Sequence, residues 1–279
     1  MSQISASTGK ALREKTDAPF KECKAALVEA EGDMDKALTI LRERNLALRG
    51  KKAEKEATEG RIGVYIDEGK QVGGIVEMRC QTAPSANNEL FIALTNELAE
   101  QVAAHGASSV DELVKEKTLK DDSKTIDDRI TEVVGLIREN MKPERCAQLK
   151  GTLGSYTHHD GTVGVLLQVE GEVKDPQVLR DVCMHIAARS PLAARREDIP
   201  QETIDKEMEI AKKQAESTGK PANIVERIAE GKMKSWFAES VLADQPFVKD
   251  ESITVEKYLQ NAGLKLVTFI RYKVGEVAE

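Results

Sequence analysis

RIGVYIDEGKQVGGIVEMRC (residues 61–80) and TLGSYTHHDGTVGVLLQVEG (residues 152–171) are two versions of one pattern. Laid side by side, Gly63 falls on Gly154, Tyr65 on Tyr156, Val72 on Val163 and Gly73 on Gly164, each pair 91 positions apart. Each version reads as strand, tight turn, strand, with DEGK at one turn and HHDG at the other. An internal repeat of this kind predicts a duplicated α+β scaffold, because a helix pattern follows each hairpin.

The helices also align, but at a different spacing. In ELAEQVAAHGAS (97–108) and DVCMHIAARSPL (181–192), Val102 matches Ile186 and Ala103 matches Ala187 at an offset of 84. The drop from 91 to 84 leaves about seven extra residues in the first copy, on or near CQTAPSANN (80–88). A segment added to a scaffold that works without it is a candidate functional loop.

Around the repeat the chain divides further. Residues 1–45 hold three helix-like runs, STGKALREKT, APFKECKAALVEA and DMDKALTILRERN. Asp17 is the expected cap of the second run, with Pro19 in its first turn, and Asp33 that of the third. Leu12, Phe20, Ala25, Leu27, Met34, Leu38 and Leu41 are the expected core of this small module. Residues 46–60 are charged and read as a linker or a solvated helical extension. Core half one spans 61–142 and half two 143–279. SKTIDDRITEVVGLIREN (123–140) closes half one as an amphipathic helix, with Ile126, Ile130, Val133, Val134 and Ile137 on one face. Within half two, residues 200–241 read as a helical hairpin folded back at Gly219–Lys220–Pro221. A short helix (ITVEKYLQNAG) and a last strand (LKLVTFIRYKV) follow.

Composition narrows the function. The 279 residues are 40% hydrophobic and 32% charged, with 4% aromatics and a net charge of −7. Few aromatics and an acidic balance argue against base stacking and phosphate neutralisation, so no direct nucleic-acid partner is expected. No apolar run is long enough to span a bilayer, and no secretory pattern opens the chain, so no membrane partner is expected. Cys23, Cys80, Cys146 and Cys183 are scattered without a CxxC pair and read as free thiols in a reducing cytoplasm.

No catalytic constellation emerges. There is no GxxxxGK followed by Ser or Thr. His158–His159–Asp160 is the most metal-like cluster, but neighbours on a strand point to opposite faces, and an exposed turn or partner contact is the better reading. Cys183 and His185 lie two apart on a helix and do not share a face. The expectation is a binding or regulatory protein, not an enzyme, with no cofactor.

The chain resembles the elongation factor Ts family, the nucleotide exchange factors of elongation factor Tu. LREKTDAPFKECKAALVEAEGDMDKALTILRE near the start carries the resemblance, as do LGSYTHHDGTVGVL, TGKPANIVERIAEGKMKSWFAESVLADQPFVKD and the closing FIRYKVGE, in the family's order. The resemblance implies a three-helix module like ubiquitin-associated domains, then two related α+β halves with a helical hairpin in the second. It implies guanine nucleotide exchange on elongation factor Tu, bound in its GDP and nucleotide-free forms. The alternative is a holder of that GTPase that does not exchange nucleotide.

The resemblance also assigns contacts. Thr82, Ala83, Pro84, Ser85 and Ala86 correspond to the loop that presses on the GTPase domain and displaces the groups holding Mg²⁺. Ala83 and Pro84 stand where the family has Asp and Phe, and Ser85 where it has Val. Thr16, Ala18, Phe20 and Lys21 correspond to the contact of the amino-terminal module, with Phe20 and Lys21 in place of two Met and Asp17 in place of Gly. Tyr156 and His158 correspond to the contact made by the second half.

Overall fold

A computed structural model describes residues 5–276. The chain opens with helices α1 (Ala6–Thr16), α2 (Phe20–Glu29) and α3 (Met34–Lys52), then strands β1 (Glu59–Asp67) and β2 (Val72–Cys80). A single helical turn α4 (Ala83–Ala86), the long helix α5 (Glu89–His105), the short α6 (Val110–Leu113) and α7 (Ile126–Ile137) follow. Strands β3 (Met141–Lys150), β4 (Thr152–Thr157) and β5 (Val163–Glu170) lead to α8 (Pro176–Arg189). Helices α9 (Gln201–Glu216) and α10 (Ala222–Ser240), strands β6 (Pro246–Phe247) and β7 (Asp250–Thr254), helix α11 (Val255–Asn261) and strand β8 (Lys265–Lys273) complete it. The fold is α+β, with sheets ordered β1-β2-β3 and β4-β5-β8 and a small β6-β7 pair. Ile253 and Thr254, expected in the short helix ITVEKYLQNAG, belong to β7 instead, and α11 starts at Val255.

Two compact units form. The first takes the chain up to Gly63, Val76–Ala147 and the residues from Lys273. Its core gathers Val76, Met78 and Cys80 of β2 against Phe91, Leu94 and Leu98 of α5 and Ile130, Val133 and Val134 of α7. Gly63 is needed because α5 crosses its strand closely: a Cβ there would lie 2.6 Å from the Thr95 carbonyl oxygen. Gly106 ends α5 in the left-handed conformation at φ 78°.

The three leading helices have their own small core of Leu12, Cys23, Ala26, Leu27, Ala37 and Leu41. Three expectations are corrected there. Asp17 does not cap α2. It ends α1 at φ 52°, donating its amide to Arg13 O at 2.8 Å, and Pro19 precedes α2. Asp is among the few non-glycine residues that tolerate that left-handed backbone. Ala25 is exposed, its place in the core taken by Ala26. Phe20 is 43% exposed, its ring lying against Gly9 rather than inside the module. Asp33 caps α3 through the amides of Asp35 and Lys36, both at 3.0 Å.

Helix α3 runs on through 46–52, and its polar side is engaged with α7. Arg49 donates to Asp127 O at 3.1 Å and to Thr131 Oγ1 at 2.7 Å. Its guanidinium also pairs with Asp127 Oδ1 at 2.7 Å, and Arg42 pairs with Asp128 at 2.6 Å. Asn45 fills the notch at Gly135, where a Cβ would come within 2.3 Å of its amide oxygen.

The second unit takes Val64–Ile75 and Gln148–Tyr272. In its sheet β4 and β5 pair antiparallel, with Tyr156 opposite Val165. Val165, Leu167 and Val169 pack on Leu179, Val182 and Ile186 of α8 and on Leu242, Phe247, Leu259 and Leu266. Gly154 lets α8 approach, since a Cβ there would lie 2.6 Å from Leu179 Cβ. Ser190 ends α8 in the left-handed conformation at φ 48°. Helices α9 and α10 form a hairpin around Gly219, at φ 68°, with Ala211, Ala215, Ala229 and Met233 between them. Small alanines bring the helices close; Val225 packs against them while Ile224 faces out.

Candidate partner-binding site

The loop after β2 is a built structure. Thr82 caps α4, its hydroxyl accepting from the Ser85 amide at 3.4 Å. Pro84 occupies the first turn, where its missing N–H would have had no helical partner. Asn87 folds back, donating to Ala83 O at 3.0 Å, and accepts from Arg61 at 3.1 Å. Asn88 caps α5 through the Leu90 amide at 2.9 Å. The segment between β2 and α5 is thus built around one helical turn.

Within that turn the five expected residues part company. Thr82, Ala83 and Pro84 are exposed and contiguous; Ser85 and Ala86 are buried, Ala86 in the α5–α7 core. Beneath the loop, Cys80 donates its thiol to Thr82 O at 3.4 Å, and burial pushes that thiol up to about 12. It is an anchor, not a nucleophile. Cys23, Cys146 and Cys183 are likewise free and buried.

At the α1–α2 turn, Thr16 Oγ1 donates to Leu12 O at 2.8 Å and accepts from the Ala18 amide at 3.3 Å, fixing the corner around Asp17. Ala18 is buried and Thr16 half-buried; Phe20 and Lys21 are exposed. Thr16 and Ala18 line a cleft of about 580 Å³ whose other wall includes Leu90, Glu97 and Leu119.

In the second unit Tyr156 and His158 come together. The Tyr156 hydroxyl lies 2.9 Å from His158 Nδ1, as side chains two apart on one strand face allow. The turn is closed by His158 N to Val163 O and by Asp160, whose carboxylate accepts the Thr162 amide and hydroxyl, all at 2.8 Å. Asp160 is therefore committed to the turn. Among the described residues no group of three or more His, Cys, Asp or Glu is arranged to hold a metal ion. Among them, too, no helix is long and apolar enough to cross a membrane.

Comparison with known proteins now bears on these features. A family profile described as Elongation factor TS matches residues 82–276, starting at the residue that caps α4. The chain is 40% identical to elongation factor Ts of Clostridium botulinum (strain ATCC 19397 / Type A) over 99% of its own length and 94% of that protein's. The chain belongs to the elongation factor Ts family. Elongation factor Ts of Halothermothrix orenii is 40% identical over 97% of this chain and 92% of its own. That of Clostridium kluyveri is 39% identical over 99% and 94%. Its place is among the translation elongation factors of protein biosynthesis. The relatives span the leading helices as well, which lie outside the profile match.

Sequence reasoning passed over the residues that hold the loop. Glu139 accepts from the Thr82 hydroxyl at 2.9 Å, and the Asn140 amide donates to Gln81 Oε1 at 2.9 Å. No periodicity marks a lone carboxylate and a lone amide just beyond a helix end, and only the fold shows their reach.

Proposed function

We propose that this protein is a guanine nucleotide exchange factor that binds elongation factor Tu in the cytoplasm and promotes GDP release so that GTP can reload. The observation that carries the reading is the preformed turn Thr82–Ala86, which presents Thr82, Ala83 and Pro84 outward from a buried foundation. Thr16, Ala18, Phe20 and Lys21 form a second contact, and Tyr156 with His158 a third. In this reading the first three helices are a ubiquitin-associated-like module.

The remainder is a duplicated core. Three pairs of residues support the duplication: Gly63 meets Thr95 as Gly154 meets Leu179, and Gly106 and Ser190 end their helices alike. The helix positions stand 84 apart and the glycines 91 apart, the two offsets of the sequence repeat.

Exchange of this kind needs no acid, base or cofactor on the factor. The factor binds the emptied GTPase more tightly than the loaded one, and by linkage it weakens nucleotide binding by the same ratio. Mg²⁺ neutralises phosphate charge, so a turn that displaces the groups around that ion loosens GDP. Pro84, fixed in φ, loses little entropy on docking.

The second reading, a holder that does not exchange nucleotide, is favoured by Ala83 and Pro84 standing where the family has an acid and a ring. Stopped-flow release of fluorescent GDP from the cognate elongation factor Tu separates the two. The exchange reading requires acceleration by the wild-type protein and a slower rate with Ala83→Gly/Pro84→Gly. Binding without acceleration supports the holder.

A further inference from the structure

Three consecutive residues at the end of α7 each grip a different element of the first unit. Arg138 pairs with Glu22 of α2, in the module that carries the Thr16–Lys21 surface. Glu139 accepts the hydroxyl of Thr82, the capping residue of the loop turn, at 2.9 Å. Asn140 takes the next stretch: its amide donates to Gln81 Oε1 at 2.9 Å, and its side chain donates to Lys55 O at 2.7 Å and Ala53 O at 3.5 Å. The module, the segment leading out of α3 and the loop therefore converge on one short piece of backbone.

That backbone is not free to adjust. Arg138 caps α7 in the left-handed conformation at φ 66°, with its amide on Val134 O at 2.8 Å. Glycine is the usual occupant of such a position, and a long side chain there bears strain. What Arg138 supplies and glycine cannot is the ion pair to Glu22. Asn140 is buried, and its two nitrogens are met by the three contacts just named. Glu139 keeps its Oε1 on Thr82 while its Oε2 is buried with no hydrogen-bond partner among the described residues. The grip on Thr82 is thus kept at the expense of a stranded oxygen, which marks it as more than incidental packing.

We propose that Arg138, Glu139 and Asn140 form a coupling turn that holds the amino-terminal module and the loop Thr82–Ala86 in one arrangement, so that both surfaces meet the partner as a preassembled unit. Glu139 is the positioning residue of the set. It acts through Thr82, whose hydroxyl also caps the turn presenting Ala83 and Pro84. Because 138, 139 and 140 share one backbone, loosening one grip loosens the others, and order lost in the module is transmitted to the loop. The consequence for exchange rests on the reading given under Proposed function; the coupling itself does not.

Two measurements on the full-length protein test it. The first is amide hydrogen exchange on the protein alone. Arg138→Ala removes the ion pair while leaving a residue with a Cβ at the left-handed position. It is expected to speed exchange both in Phe20–Glu29 and across 82–88, and Glu139→Ala to do the same. Faster exchange confined to the element each side chain touches overturns the coupling.

The second is GDP release from elongation factor Tu as a function of factor concentration. Glu139→Ala is expected to lower kcat several-fold, and Glu139→Gln, whose amide oxygen still accepts from Thr82, to restore it. Equal rates for Glu139→Ala and wild type, or no rescue by Gln, overturn the positioning role. If wild type itself fails to accelerate release, the exchange reading falls, and hydrogen exchange still decides the coupling.

Discussion

His185 and Gln245 meet through a buried hydrogen bond of 2.8 Å from His185 Nε2 to Gln245 Oε1. Gln245 donates its own amide nitrogen to Glu239 O at 2.5 Å, so its oxygen faces the imidazole. Nε2 therefore carries the proton, and Nδ1 accepts the Val248 amide at 3.1 Å. The neutral ring satisfies both partners; a protonated ring would set Nδ1–H against the Val248 N–H. The QPFV segment is thereby pinned to α8, with the His185 ring packed beside Phe247, centroids 5.9 Å apart.

A pH dependence follows. Burial lowers the His185 pKa below its usual value; the bond to Gln245 opposes this and the charge of Arg189 adds to it. A group whose folded pKa is depressed is protonated first in the unfolded chain. His185 thus contributes stability that is complete above about pH 6.5 and declines as pH falls toward the folded pKa, at up to about 1.4 kcal/mol per pH unit. Lowered carboxylates such as Asp181 act only near and below pH 4. Denaturant midpoints at pH 7.5 and 5.5 should show the decline in wild type and a flatter profile in His185→Gln. A flat wild-type profile over that range defeats the assignment.

The two close helix crossings can be compared directly. Neither Gly63 nor Gly154 has a positive φ, so the cost of Ala at either is steric. At Gly63 the new Cβ meets backbone, the Thr95 carbonyl; at Gly154 it meets the side chain of Leu179. Overpacking of this kind costs roughly 1–3 kcal/mol. Gly63→Ala should fall toward the upper end and Gly154→Ala toward the lower, because three Thr95 atoms lie within 3.1 Å of the new Cβ at Gly63, whereas at Gly154 Leu179 Cβ alone comes closer than 3.3 Å. Urea titrations of the two variants check the order.

How much of this was legible beforehand differs by interaction type. The offsets of 91 and 84 point to the same residues that touch across strand and helix, because a close crossing forces glycine and so leaves a mark in the letters. The drop in offset directed attention to the segment at 80–88. Its form was not legible: four residues are too few to show a helical period, and the burial of Ser85 and Ala86 depends on α5 lying beside them. Phe20 was misread because an apolar residue at helical spacing looks like core even when its seat is a glycine on the next helix. The charged run after residue 46 reads as solvated because pairing partners such as Asp127 lie far away in sequence.

Arg49 offers a test of that last point. Its guanidinium makes two hydrogen bonds and an ion pair to α7 from a half-buried position. Hydrogen bonds to charged groups are worth about 1.5–3 kcal/mol, more than an exposed pair, which is worth about 0–1 kcal/mol. Arg49→Ala should therefore release the leading helices from α7 without unfolding the rest, read as faster proteolysis between residues 53 and 58. Arg49→Lys should rescue only in part, since an ammonium lacks the planar fork. Unchanged proteolysis in Arg49→Ala would show that Arg42, Asn45 and the apolar contacts suffice.

Glu77 makes the sharpest prediction for stability. It is the one carboxylate in the apolar strand VGGIVEMRC, and it is fully buried in a run that is buried almost throughout. Its Oε2 accepts from Arg145 Nε at 2.7 Å, and its Oε1 accepts from the Gly275 amide at 3.1 Å. Arg79 Nε stands 2.5 Å from Oε1, close enough for an ion pair but outside hydrogen-bond geometry. Arg145 also donates to Lys273 O at 3.1 Å, so one carboxylate fastens both β3 and the end of the chain to β2. Removing one partner of a buried pair leaves the other charge stranded, at about 3–5 kcal/mol. Glu77→Ala takes the carboxylate away from two guanidinium groups at once and frees the Gly275 amide, so it should cost more than Arg145→Ala, which leaves Glu77 with Arg79 and Gly275. Glu77→Gln keeps the acceptor and loses the charge, and should fall between wild type and Glu77→Ala. Denaturation midpoints of the three variants give the ranking, and a Glu77→Ala protein as stable as wild type would show that the buried carboxylate does not fasten the strand ends.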